Sequence, residues 1–362
     1  MIAYLRAFND RPGNLTARII SIYTVLVAAN VAAWSWAFVA FHDHPILLGT
    51  CFLAYSFGLR HAVDADHIAA IDNVTRKLMQ EGKQPLTVGL FFSLGHSTVV
   101  ILATIGIALA SSAFKHQLEE FRTAGSLIGV SVSAAFLLII AAINLMILIN
   151  VYKTFQRVRE TGTYAEEELD LQLAKGGFFA TLFRSLFRAI GRSAHMYPLG
   201  FLFGLGFDTA TEIGLLAIAA TETSSGLPIW SVLVFPALFT AGMTLIDTTN
   251  SVMMVGAYGW AFEKPVRKLY YNMTITFASV VVAVLIGGVE ALNLVADKFG
   301  LTGGLWDVVG NLNETFSMLG YLIVGVFALC WLVSMVVYRL KGYDSLEFQR
   351  SPRPAIASRG AA

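Results

Sequence analysis

Two histidines and three aspartates crowd into "RHAVDADHIAAIDN" (residues 60–73), directly after the apolar run "PILLGTCFLAYSFGL". His61, Asp64, Asp66 and His67 lie within seven residues of one another. Further ionisable groups stand in three other apolar stretches: His96 in "LGHST", Asp208 and Glu212 in "LGFDTATE", and Asp247 in "GMTLIDTT". A carboxylate placed at the centre of a membrane span costs about 2.5–3.5 kcal/mol on insertion scales. Six carboxylates, counting Asp72, against the single Arg60 leave a formal charge of −5 in these segments. A structural role would balance acid with base, whereas a net-negative polar core holding three imidazoles calls for a cation. Imidazole and carboxylate together suit a borderline-soft divalent ion such as Ni, Co, Zn or Cu. Magnesium and calcium favour sites made of oxygen alone, and the lack of any Cys in these motifs argues against a thiolate site.

Helical periodicity places these groups on common faces. Asp208 and Glu212 are i and i+4, with Thr211 beside them, and Met243, Asp247 and Asn250 are i, i+4 and i+7. His61, Asp64 and Asp72 fall within about 80° of arc on a continuous helix, with His67 adjoining and Asp66 pointing away. Asp66 therefore either faces a second helix or sits where the helix is irregular. Several residues also have plainer roles open to them. Arg60 pairs with a neighbouring aspartate, Asp72 caps the inner end of its span, and Met243 packs. Asp208 bonds a hydroxyl, and His96 alone reads as a core histidine bonded to Ser93 or Ser97. The two His and two Asp of residues 61–67 resist that treatment, because burying them idly is too costly. His42, His44, His116 and His195 fall in loops or at span ends and take no role.

The elements that position these groups follow from composition. The 362 residues are 56% hydrophobic and 14% charged, with mean hydropathy +0.66. A soluble chain carries about 25% charged residues, so this is an all-α integral membrane protein. Eight runs reach the roughly 20 residues needed to cross a bilayer: 19–41, 46–72, 86–110, 126–151, 197–220, 229–255, 270–292 and 315–338. They form one transport domain over 1–340, with a cytoplasmic loop at 152–196 and a disordered cytoplasmic tail at 341–362. A cytoplasmic N-terminus puts twenty-one Lys and Arg inside and only Lys115, Arg122 and Lys298 outside, which places both termini in the cytoplasm. No cleavable signal peptide is expected, because the first 18 residues are polar and a full-length span follows. Cys51 and Cys330 lie inside spans and read as packing residues. Net charge is +1 and selects no partner beyond the bilayer; no nucleic acid is expected.

The 152–196 loop joins an acidic cluster (Glu166, Glu167, Glu168, Asp170) to the basic amphipathic stretch "FFATLFRSLFRAIGR". That stretch is either a helix lying on the cytoplasmic leaflet or a solvated connector whose bases enforce topology. Residues 293–314 read as an external loop. An internal repeat joins "FGLRHAVDAD" from Phe57 to "FGLGFDTATE" from Phe203, with Asp66 opposite Glu212 and Gly95 matching Gly242. Spans two and three would thus repeat as spans five and six in opposite orientation, an arrangement that sets a substrate site near the midplane in many secondary transporters.

His61, Asp66 and His67 form the pattern His-x4-Asp-His. With "LGHST", "LGFDTATE" and "GMTLIDTT" following in order, the whole chain resembles the nickel/cobalt transporter family of secondary permeases. The resemblance implies eight spans, uptake of Ni2+ and/or Co2+ across the bacterial cytoplasmic membrane, and no enzymatic activity or resident cofactor. It also marks His61, Asp66 and His67 as essential, with Asp64 and Asp72 in the same stretch and His96, Asp208, Thr209, Glu212 and Asp247 in the later motifs. Asn250 stands where a second aspartate is expected, which removes a charge from the Met243/Asp247 face. The chain has no Walker-type phosphate loop, so no ATPase subunit is implied. Two further readings use the same residues, an efflux carrier and a membrane metalloenzyme. The second ordinarily needs about eight clustered histidines, and only three of the seven here lie in spans. A haem cytochrome would need paired axial ligands.

Overall fold

Apolar side chains cover the outside of this protein, as expected for a chain solvated by lipid. Ile46, Val39 and Phe299 are 85%, 73% and 72% exposed, while Asp72, Asp247 and His67 are fully buried. The computed structural model describes residues 9–109, 115–161, 163–164, 190–206, 209–261 and 265–315, scattered positions between 322 and 336, and 349–350. Among them the fold is all-helical apart from a two-residue parallel pairing of Thr163–Tyr164 with Gln349–Arg350. Five helices are long and apolar enough to cross a membrane, and a bent pair makes a sixth.

In chain order the helices are α1 (Leu15–Phe41), α2 (Pro45–His61), α3 (Ala65–Gln80), α4 (Val88–Leu109) and α5 (Lys115–Thr161). After the turn Ser193–His195 come α6 (Met196–Gly204), α7 (Ala210–Ser224), α8 (Ile229–Val232), α9 (Val234–Ala261), α10 (Pro265–Phe299) and α11 (Leu305–Glu314). Asn14 caps α1 by accepting from the Ala17 amide, and Pro45 opens α2, where a missing N–H is harmless.

Two of the expected spans are not continuous. The run 46–72 breaks after His61 into α2 and α3, bent by 51°. The run 197–220 breaks after Gly204 into α6 and α7. Each second half begins at an extended cap residue, Asp64 before α3 and Thr209 before α7; the Thr209 hydroxyl accepts from the Glu212 amide. With the caps superposed, Asp64-Ala65-Asp66-His67 matches Thr209-Ala210-Thr211-Glu212. His67, rather than Asp66, therefore stands opposite Glu212. The gapless pairing fails because the stretch from "FGL" to the cap is one residue shorter in the second copy.

Other boundaries also shift. α5 continues to Thr161, so the first part of the 152–196 loop is helical, and residues 293–314 carry the end of α10 and all of α11 rather than an open loop. Residues 165–189, which hold the acidic cluster and most of the amphipathic stretch, lie outside the described residues, as does most of 315–338 and of the tail.

The central pair is α4 and α9, which run antiparallel. Leu86 and Leu90 share a core with Val252 and Val255, Ser93 bonds Asp247, and Val100 shares a core with Phe235 and Phe239. The half-helices pack onto this pair through glycine. A Cβ at Gly58 in α2 would sit 2.1 Å from the Phe239 carbonyl oxygen of α9, and one at Gly200 in α6 would sit 2.0 Å from that of Phe92 in α4. Small residues let helix backbones approach this closely in membranes.

Candidate metal centre

The break after His61 is what assembles the site. On one straight helix, residues 61 and 67 would stand about 9 Å apart along the axis. The turn at 62–64, closed by bonds from Val63 N to Arg60 O and from Asp64 N to His61 O, bends α3 by 51° from α2, and the two imidazole centroids lie 4.6 Å apart. His96 enters from α4, with its ring 4.7 Å from His61 and 5.0 Å from His67. One ligand-capable atom from each of these imidazoles lies within 4.8 Å of the others, and all three side chains are buried. Glu212, at the third position of α7, completes the cluster with Oε1 2.7 Å from His96 Nε2.

Carboxylates stand behind two of the rings. Asp64 Oδ2 is 3.0 Å from His61 Nδ1, and Asp247 Oδ2 is 3.1 Å from His67 Nδ1. Accepting a proton from Nδ1 leaves Nε2 as the basic nitrogen, as carboxylate–histidine pairs do at metal sites. His67 Nε2 is buried with no hydrogen-bond partner, and His61 Nε2 lies 3.0 Å from His96 Nε2. His61 Nε2, His96 Nε2 and a Glu212 carboxylate oxygen thus converge on one small volume, where a proton on His96 Nε2 or a cation sits between them. The hydroxyls of Thr209 and Thr211 are each 3.2 Å from His61 Nδ1, and Thr209 also donates to Glu212 Oε2 at 3.2 Å.

The structure therefore brings together His61, Asp64, His67, His96, Thr209, Glu212 and Asp247, with Asp64 and Asp247 behind the imidazoles. Of the remaining described residues, Asp72, Met243 and Asn250 stand outside the cluster. Asp66 is half-buried at the second position of α3 and makes no hydrogen bond in the cluster, but its charge acts on both His61 and His67. Asp72 accepts from the hydroxyls of Tyr258 and, at 2.7 Å, Ser279, so it ties α3 to α9 and α10 instead of capping a helix end. Met243 is buried in an apolar core with Phe235 and Leu238. Asn250 is half-buried, and its Nδ2 has no partner. Arg60 is exposed. Asp208 lies outside the described residues.

Ser93 bonds Asp247 Oδ2 at 2.5 Å and not His96, so a Ser93–Asp247–His67 chain fixes that ring. The signal available in sequence was its place one turn before His96. Phe92 and Phe239, whose rings lie 4.8 Å from His67 and 5.5 Å from His61, gave no signal as ordinary apolar residues.

Residues 47–337 match the family described as high-affinity nickel-transport protein. The chain belongs to that family. The high-affinity nickel transport protein of Cupriavidus necator is 60% identical over 335 residues, covering 92% of this chain and 95% of the relative. Nickel transporter NicT of Mycobacterium tuberculosis is 42% identical over 344 residues, 92% of this chain and 91% of the relative. Cobalt transport protein NhlF of Rhodococcus rhodochrous is 39% identical over 298 residues, 82% and 84% of the two chains. No solved structure matches. Membership of the nickel-transport family makes the chain a multi-pass membrane transport protein for a divalent metal, and not an enzyme.

Proposed function

We propose that this chain imports Ni2+, and Co2+ by the same site, across the bacterial cytoplasmic membrane as a secondary transporter of eight spans with both termini inside. The convergence of the His61, His67 and His96 imidazoles, with Glu212 Oε1 against His96 Nε2, carries this reading. A mixed set of imidazole and carboxylate donors suits a borderline-soft divalent ion such as nickel or cobalt.

The ion sheds water on entering, and the carboxylates repay the loss of hydration. Asp64 and Asp247 hold the imidazole rings so that Nε2 points to the ion. The two broken helices, with His67 and Glu212 at matching positions, form an inverted repeat whose halves rock to expose the ion on one side and then the other. No ATPase subunit takes part. The test is saturable uptake of trace radioactive nickel and cobalt, each competed by the other and by zinc, in cells expressing the chain or His67→Ala at equal protein level. Uptake abolished by the substitution supports import. Accumulation below that of empty cells would reverse the direction.

A further inference from the structure

The site's own residues leave open what seals the ion from water on either side. Phe92 and Phe239 are both fully buried, and each stands three residues before the glycine of its motif, Gly95 and Gly242. Each backbone carries a half-helix, with Gly200 of α6 against Phe92 and Gly58 of α2 against Phe239. Phe92 meets the His67 and His96 imidazoles, and Phe239 meets that of His61. Phe92 lies at 88° to His67 with centroids 4.8 Å apart, and Phe239 lies 5.5 Å from His61. Phe92 also packs edge-on against Phe203, at 5.2 Å.

Because α4 and α9 are antiparallel, these equivalent positions fall at opposite ends of the cluster. Phe92 is one turn before His96, at the level where Ser93 meets Asp247. Phe239 shares a core with Val100, one turn beyond His96. From residue 92 to residue 100 is about 12 Å along the helix, and the three imidazoles and Glu212 fit in that interval. Apolar side chains at a constriction block ions by excluding water.

We propose that Phe92 and Phe239 are the two gates of the transport path, and that the structure is the occluded state with both closed. The assignment rests on the transport reading. With the termini inside, Phe92 is the cytoplasmic gate and Phe239 the external one. Each is tied to a half-helix of the opposite repeat, so movement of α2 frees Phe239 and movement of α6 frees Phe92.

The test uses the full chain with Cys51→Ala and Cys330→Ala, and Thr211→Cys as a reporter beside His61. A charged, membrane-impermeant methanethiosulfonate is applied to right-side-out and to inside-out vesicles. Labelling is slow from both faces in this parent. Phe239→Ala is expected to raise the labelling rate at least tenfold from the outer face alone, and Phe92→Ala at least tenfold from the inner face alone. Phe→Leu at each position retains bulk and folding, and raises the rate on the same face by a smaller factor. A rise on the same face for both positions, on both faces for either, or on neither face in the Leu variants overturns the proposal. Nickel uptake by the unaltered chain is measured alongside. Its absence would contradict the transport reading, whereas intact uptake without sided labelling contradicts the gates alone.

Discussion

Asp247→Asn isolates the role of a carboxylate held behind an imidazole. Asp247 Oδ2 accepts from His67 Nδ1 at 3.1 Å and from Ser93 at 2.5 Å. Asn keeps the volume and one acceptor oxygen, and it removes the charge that makes His67 Nε2 a stronger donor to metal. A hydrogen bond to a charged group contributes about 1.5–3 kcal/mol and a neutral one about 1 kcal/mol, so the loss is on the order of 1–2 kcal/mol. Replacing such a supporting group typically lowers metal affinity about 10–100-fold. The two figures meet near tenfold, since about 1.4 kcal/mol is a factor of ten. The assay is the concentration dependence of nickel uptake at matched protein level. KM is expected to rise about tenfold or more, with the maximal rate changed less. Asp64→Asn should behave alike, because Asp64 stands behind His61 in the same way. A KM within twofold of the parent for both variants would refute the assignment of these aspartates as supports for the rings.

Glu212→Gln puts a neutral amide 2.7 Å from His96 Nε2 in place of a charged oxygen; nickel uptake at subsaturating metal should fall about 100-fold, consistent with an ionic ligand lost in a dry site, while the variant still reaches the membrane. Gly58→Val places a Cβ 2.1 Å from the Phe239 carbonyl, so α2 must move off α9; overpacking of this kind costs about 1–3 kcal/mol or more, and a lower melting temperature with lost uptake is expected from thermal unfolding in detergent. Asp72→Asn loosens the bonds to Tyr258 and Ser279; the melting temperature should fall, but the order in which cobalt and zinc compete with nickel should not change, and an altered order would place Asp72 on the ion path.

His61, His67, His96 and Glu212 were legible because buried ionisable residues in apolar runs are too costly to lack a partner. The need for acceptors behind the imidazoles was legible too, although the sequence could not tell a supporting aspartate from a ligating one. The break after His61 was not readable, because periodicity assumes a continuous helix; the only hint was that Asp66 fell off the common face. Asp72 shared that face on paper and lies elsewhere for the same reason, since α3 turns away from α2 by 51°. Ser93 was placed near His96 by spacing, yet it bonds Asp247, a partner 154 residues away that only packing of α4 against α9 selects. Phe92 and Phe239 carry no polar atom, and their place against the imidazoles exists only in three dimensions.

The most direct test of the central claim is X-ray absorption on the purified, nickel-loaded chain. A single nickel with three imidazole ligands and at least one carboxylate oxygen is expected, falling to two imidazoles in His96→Ala. A shell of oxygen alone, or one unchanged by His96→Ala, would contradict the site.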